Sequence, residues 1–408
     1  MLGVAVFLGL FFLHCLFSAR LARTVVTAPI LFAAAGALFF LLAPARPRSE
    51  EAPGAFLFVA ELGLVLLLFT DAARTDRRVL KRMRGLPIRL LSAGMLLTIV
   101  LGALGALVVL RELSVFEAGI LAAILAPTDA GLGQIIVTSP SVPAPIRQAL
   151  NVEAGLNDGL AVPFLLFFVS LVESGRGGGD ASFTRFIVEQ LGYGALVGAA
   201  IGLCGGKLLG LARREKWMAD SLQRLGLVAL PLFSLLASDA VGASPFIAAF
   251  VAGLFVRSGF EEASERAVEF TEEWGHVLNL SVFFLFGLLV ARAWPKFDAT
   301  HVLYAVLSLT AVRMLPVAVA LAGTRLCRAT VLFMGWFGPR GLASIVLGLV
   351  YLERETHSPG EETIRLSVMA TVALSILAHG ITALPGIRLY SRRVAALPEA
   401  APERANLE

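Results

Sequence analysis

Charge is scarce in this chain. Of its 408 residues only 16% are Asp, Glu, Lys or Arg, against roughly a quarter in an ordinary soluble domain. A chain of this length could bury a large core, yet it would still need a polar surface. With 57% hydrophobic residues and a mean hydropathy of +0.82 it cannot supply one, so lipid is the solvent for most of it. The formal charge of +4 and the pI of about 9.2 do not point to nucleic acid, because the basic residues fall in short loops between apolar runs. Cysteine is scarce too. Cys15, Cys204 and Cys327 lie far apart, with no CxxC and no Cys/His spacing, which excludes a disulfide framework and a zinc site.

Catalytic signatures are also missing. There is no Gly-x-Ser-x-Gly and no His-Glu-x-x-His, and Gly206-Lys207 is followed by leucine without the glycine that a P-loop needs. A membrane-embedded enzyme therefore has no nucleophile to stand on. No stretch resembles a selectivity filter, which argues against a channel. No cofactor is expected.

What the chain does have is apolar runs long enough to span a bilayer, from end to end. Thirteen are placed, over 2–18, 24–43, 54–71, 87–110, 114–137, 146–173, 183–211, 220–238, 243–258, 268–292, 299–322, 327–351 and 364–390. Only helices suit this pattern, since lone strands in lipid leave backbone groups unpaired. The first run is followed by Arg20 and Arg23 rather than a cleavage site, so it reads as a retained span. Gly175–Asp180 reads as a flexible linker. With thirteen spans, the odd-numbered loops and the tail carry about 20 Lys/Arg and the even-numbered loops about 7. That asymmetry puts the N-terminus outside and the C-terminus in the cytoplasm, with Arg74, Arg77, Arg78, Lys81, Arg82 and Arg84 as the densest orientation signal.

Two spans look broken. The fifth reads Ala126-Pro127-Thr128-Asp129-Ala130-Gly131-Leu132-Gly133, and the twelfth contains Gly335-Trp336-Phe337-Gly338-Pro339-Arg340-Gly341. One is fifth from the first span and the other is fifth from the eighth. The chain thus divides into a first six-helix repeat (1–173), a linker helix (174–219), a second, inverted repeat (220–391) and a short tail (392–408). This is the all-α, polytopic plan of inverted-repeat transporters, whose discontinuous helices 5 and 12 meet near the midplane.

A charge inside a span costs a few kcal/mol on insertion scales, so each one needs a reason. The densest set is Asn151-Val152-Glu153-Ala154-Gly155-Leu156-Asn157-Asp158-Gly159 in the sixth span. At about 100° per residue Glu153 and Asn157 share a face, while Asp158 points about 140° away from Glu153. Asp129, Arg313 and Arg340 complete the set. A hard monovalent cation needs oxygen ligands, which a carboxylate, the Thr128 hydroxyl and freed backbone carbonyls could supply. A lone carboxylate there would be contested between a proton and a metal ion. Arginine keeps its proton, so Arg313 or Arg340 is a counter-charge for Glu153, leaving Asp158 to titrate. Asp129 is either an ion ligand or an offset to two converging helix N-termini, with an Arg doing the same for two C-termini. Glu61 sits in an apolar run without an obvious partner, and Asp71 reads as a boundary charge. His14 and His379 read as packing or hydrogen-bonding groups, and Lys207 as snorkelling to the interface.

Asn151-Val152-Glu153 with Gly155-Leu156-Asn157-Asp158-Gly159 resembles the signature helix of the NhaP-type monovalent cation:proton antiporters. Pro127-Thr128-Asp129, Gly338-Pro339-Arg340-Gly341, Arg313 with Pro316, and Ser244-Pro245-Phe246-Ile247-Ala248-Ala249-Phe250-Val251-Ala252-Gly253-Leu254 are similar to further segments of that family. The resemblance implies thirteen helices, a homodimer, and a core that moves like an elevator against a dimer domain. It implies exchange of Na⁺, or Li⁺ or K⁺, for H⁺, one for one. The family's ion ligands fall on Asp158, Thr128 and Asp129, with Asn157 in support and Glu153 paired to Arg313 or Arg340. The departure is Ala154, where the family often has a serine at the ion. The tail is too short for the regulatory domains that some relatives carry.

Overall fold

The computed structural model describes residues 2–21, 24–42, 53–74, 85–174, 188–260, 265–353, 358–398 and 401–404. The basic residues Arg77, Arg78, Lys81, Arg82 and Arg84 and the Gly175–Asp180 linker lie outside them. All regular structure among the described residues is helical. We label the spans α1 (Leu2–Leu21), α2 (Ala28–Leu42), α3 (Pro53–Arg74), α4 (Leu86–Val109), α5 (Val115–Ile124 and Ala130–Val137), α6 (Ala144–Ser174) and α7 (Val188–Arg214). The rest are α8 (Asp220–Ala240), α9 (Pro245–Gly259), α10 (Glu265–Ala293), α11 (Ala299–Leu309 and Ala311–Ala320), α12 (Arg328–Trp336 and Leu342–Glu353) and α13 (Glu361–Ala395). Nine of the helical stretches among the described residues are long and apolar enough to cross a membrane by themselves.

The breaks in α5 and α12 fall where proline, glycine and charge interrupt the apolar runs. The structure adds detail that periodicity cannot carry. α11 is interrupted at Thr310 (φ −105°, ψ −92°), and a wider π-helical turn, Leu90–Gly94, lies near the start of α4, with another, Val188–Tyr193, at the start of α7. Pro316 removes the donor that the Val312 carbonyl would meet in a helix, so the ladder of α11 is already weakened beside Thr310.

Packing sorts the helices into two groups that cut across chain order. α2 and α3 pack on α10, α3 also packs on α9, and α7 and α8 both pack on α9. α4, α5, α6, α11, α12 and α13 pack among themselves. α7 lies close on α9 because its buried face is glycine at every fourth position from Gly194 to Gly210. Small residues let two membrane helices bring their backbones together. Between the two groups lies a cavity of about 510 Å³, whose lining includes Asp71, Arg74, Arg147, Gly155, Glu272 and His276.

Candidate functional site

The two broken helices cross each other. Their unwound strands are joined by a backbone hydrogen bond from Asp129 N–H to the Pro339 carbonyl, 2.8 Å. A helix end leaves backbone groups without intrahelical partners, and in lipid these must be satisfied by protein. At this crossing the partners can be named one by one. The two half-helix N-termini are met by a single side chain. Asp129 Oδ1 accepts from Leu132 N–H of α5 (2.9 Å) and its Oδ2 from Leu342 N–H of α12 (2.6 Å). At the C-terminal end of the first half of α5, Arg340 Nη1 donates to the carbonyls of Ala126 (2.6 Å) and Pro127 (2.9 Å), and Ser344 donates to Ile124 (2.8 Å). The Trp336 carbonyl of α12, which accepts from Gly338 N–H (2.9 Å), also lies 2.8 Å from His379 Nε2 of α13, and Arg340 N–H donates to Ser375 Oγ of the same helix, 2.7 Å. Asp129 and Arg340 thus both stand at converging helix ends, each carrying the sign that offsets those dipoles.

Close approach explains two of the glycines. A Cβ on Gly341 would lie 2.0 Å from Asp129 Oδ2, and one on Gly338 would lie 2.2 Å from Arg313 Nε. Arg313 passes over that bare backbone to reach Glu153, with Nη1–Oε1 at 2.6 Å and Nη2–Oε2 at 2.9 Å. Both residues are buried. This bidentate fork selects between the two arginines that sequence left open.

The remaining pair is Asn157 and Asp158. Asn157 Nδ2 donates to Thr128 Oγ1 at 2.6 Å, tying α6 to the unwound strand of α5. Asn157 Oδ1 and Asp158 Oδ1 are buried and have no hydrogen-bond donor. Asp158 is 3% exposed, and the carboxylates whose charge reaches it belong to Asp129 and Asp71. Ala154 faces a small cleft with Thr128, Asp129, Glu153 and Pro339. Every residue expected at the site, namely Thr128, Asp129, Glu153, Asn157, Asp158, Arg313 and Arg340, is buried at or beside this crossing.

Asp71 reads from sequence as a boundary charge, but it lies deeper than that. It lines the large cavity and packs against Gly155, where a Cβ would lie 3.2 Å from the Asp71 Cβ. Gly155 precedes Asp158 by one helical turn, so the cavity reaches the level of the site. Its rim carries Arg74 paired with Glu272, Nη1–Oε1 at 2.8 Å, and His276 3.6 Å from the same glutamate. An acid three residues before the arginine that ends α3 was the available signal.

A multi-helix membrane domain with two crossed, interrupted helices and a buried acid beside the crossing has the architecture of the secondary-transporter class. A family model described as the transmembrane domain of sodium/hydrogen exchangers matches residues 4–386, and the chain belongs to that family. It is similar to a probable Na⁺/H⁺ antiporter of Schizosaccharomyces pombe, 27% identical over 60% of this chain and 35% of the relative. It is also similar to the K⁺/H⁺ antiporter NhaP2 of Shewanella baltica, 23% identical over 86% of this chain and 62% of the relative. The chain therefore spans between about a third and about three fifths of the length of these curated relatives. Its fold is that of the sodium proton antiporter MjNhaP1 from Methanocaldococcus jannaschii, with a TM-score of 0.77, 18% identity and coverage of 97% and 99% of the two chains.

Proposed function

We propose that this chain is a secondary antiporter that exchanges a monovalent cation for H⁺, with both competing for Asp158. The observation that carries the reading is a contrast at the crossing. Asp129 meets an N–H at each half-helix N-terminus, while two buried acceptors beside it, Asp158 Oδ1 and Asn157 Oδ1, have no donor. A desolvated carboxylate without a donor gains from binding either a proton or a hard cation. The neighbouring oxygens of Asn157 and Thr128 suit such a cation and not an organic substrate. Asp129 has both oxygens engaged by backbone N–H groups, so it supports the site first as a cap and second as a ligand. Na⁺ is the leading cargo, with Li⁺ and K⁺ as alternatives. The names of the relatives include both Na⁺/H⁺ and K⁺/H⁺ antiporters, which disfavours an organic-anion symporter on the same scaffold.

The cation reaches the site through the cavity between the two helix groups, and movement of one group against the other carries it across. The positive-inside asymmetry supports a cytoplasmic position for that cavity and an external N-terminus, and residence in the plasma membrane goes with this reading. A homodimer accompanies this reading, and the division into inverted repeats 1–173 and 220–391 around a linker helix is part of it.

The test is Asp158→Asn reconstituted in proteoliposomes. The variant is expected to insert and remain folded while pH-gradient dissipation by Na⁺, Li⁺ and K⁺ falls to background. Exchange at the wild-type rate would end the proposal. One-for-one exchange moves no net charge, so sodium jumps at symmetric pH on a solid-supported membrane should give no current.

A further inference from the structure

The N-terminus of α12 has no side-chain cap of its own. Cys327 occupies the capping position in extended conformation (φ −68°, ψ 154°); its Sγ lies 3.2 Å from the Thr330 hydroxyl but caps no backbone N–H of the first turn. The equivalent end of α5 is complete. There Ser114 and Glu117 form a reciprocal capping box, with Ser114 N–H donating to Glu117 Oε2 (2.8 Å) and Glu117 N–H to Ser114 Oγ (3.3 Å). The missing group for α12 arrives from the segment after α13. Glu403, 1% exposed, directs Oε1 at the Cys327 N–H (2.7 Å) and at the Thr330 hydroxyl (2.9 Å). Thr330 in turn lies 3.0 Å from the Tyr390 hydroxyl. The next residue, Arg404, donates through Nη2 to the Ala395 (2.7 Å) and Val394 (3.2 Å) carbonyls at the end of α13. The short turn Pro402–Arg404 also packs on α6. Burial raises the Glu403 carboxyl, but the donors from Cys327 and Thr330 outweigh it and hold the group below its ordinary range.

We propose that Glu403 is a positioning residue for exchange: it meets the Cys327 N–H at the start of α12, the place Glu117 takes in the capping box of α5, and, through that half-helix, holds the Phe337–Gly341 break against the crossing. The first half of α12 is nine residues long, about 13 Å of helix. One end is tied to Glu403 and the other runs into the strand that carries Arg340. A carboxylate at the first end suits the helix dipole and satisfies an orphan donor. The segment 401–404 therefore moves with the group of helices that contains the site. The positioning role rests on the antiporter reading; the cap itself does not.

The test uses the full chain with Glu403→Ala, Glu403→Gln and Arg404→Ala, and two readouts. The first is the rate at which a membrane-impermeant maleimide labels Cys327 in inside-out vesicles, resolved by mass spectrometry. The second is the KM and turnover for Na⁺ in proteoliposomes. Glu403→Ala should label about fivefold faster and show a raised KM. Glu403→Gln keeps an acceptor oxygen and should recover most of both effects. Arg404→Ala, which leaves the carboxylate in place, should give a smaller change of the same kind and serves if Glu403→Ala does not fold. Labelling at the wild-type rate in Glu403→Ala or, failing that variant, in Arg404→Ala overturns the cap. Faster labelling with unchanged KM and turnover overturns the positioning role. If the unsubstituted protein exchanges no cation, the antiporter reading and the positioning role fall together, while labelling still decides the cap.

Discussion

The two interrupted helices meet at one crossing but are held in different ways. α5 carries its own fittings: Ser114 and Glu117 at its start and Asp129 at the start of its second half. α12 takes its fittings from elsewhere, with Glu403 at its start, His379 at the end of its first half, and Asp129 of α5 at the start of its second half. Arg340 and Ser344 run the other way, lent by α12 to the carbonyls that end the first half of α5. Local caps make α5 a helix whose break is encoded within a few residues. Borrowed caps make the geometry of α12 depend on α13, on α5 and on the segment beyond α13.

This contrast can be broken by substitution. Asp129→Ala should do the most damage, because it uncaps both helices at once and leaves two buried N–H groups unmet. A loss on the order of 2–4 kcal/mol is expected, read as a large fall in the thermal midpoint of the detergent-solubilised protein. An unchanged midpoint would mean that the two half-helices do not share this carboxylate. His379→Leu comes next. It strips the Trp336 carbonyl of its partner from a different helix and should cost about 1–3 kcal/mol, with His379→Gln restoring part. Ser114→Ala, at the self-contained end of α5, should cost about 1 kcal/mol. If Ser114→Ala proved the more harmful of these two, the distinction between local and borrowed caps would not hold. Ala154→Ser should have the smallest effect on folding and a specific one on function. The new hydroxyl would face the cleft at Thr128 and Asp129 and shift apparent affinity among Na⁺, Li⁺ and K⁺ in a competition series. Identical affinities would remove that position from the ion site.

Much of this architecture was legible in the amino-acid order, for physical reasons. Spans announce themselves by length and hydropathy, and the breaks by proline and glycine beside a charge. All seven expected site residues are charged or polar groups that a bilayer interior tolerates only with cause. What stayed hidden depends on partners distant in sequence. Glu153 and Arg313 stand 160 residues apart, and no local period distinguishes Arg313 from Arg340. The gap in α11 at Thr310 and the π-helical turns of α4 and α7 leave the apolar pattern intact. Asp71 looked terminal because it closes the apolar run of α3, whereas its contact with Gly155 is a matter of packing. Glu403 was unreadable for the same reason, since one of three glutamates past the last span gives no sign of the helix it serves.

A practical consequence follows for chimeras between members of this family. Residues 328–353 of α12 could be transplanted as a cassette into another exchanger only if the recipient happened to offer matching groups at the places of Glu403, His379 and Asp129. Residues 114–137, which include Ser114, Glu117 and Asp129, bring most of their own contacts and should graft more readily. The second half of the molecule is thus the less modular of the two, and swaps intended to alter ion choice are better made from the α5 side.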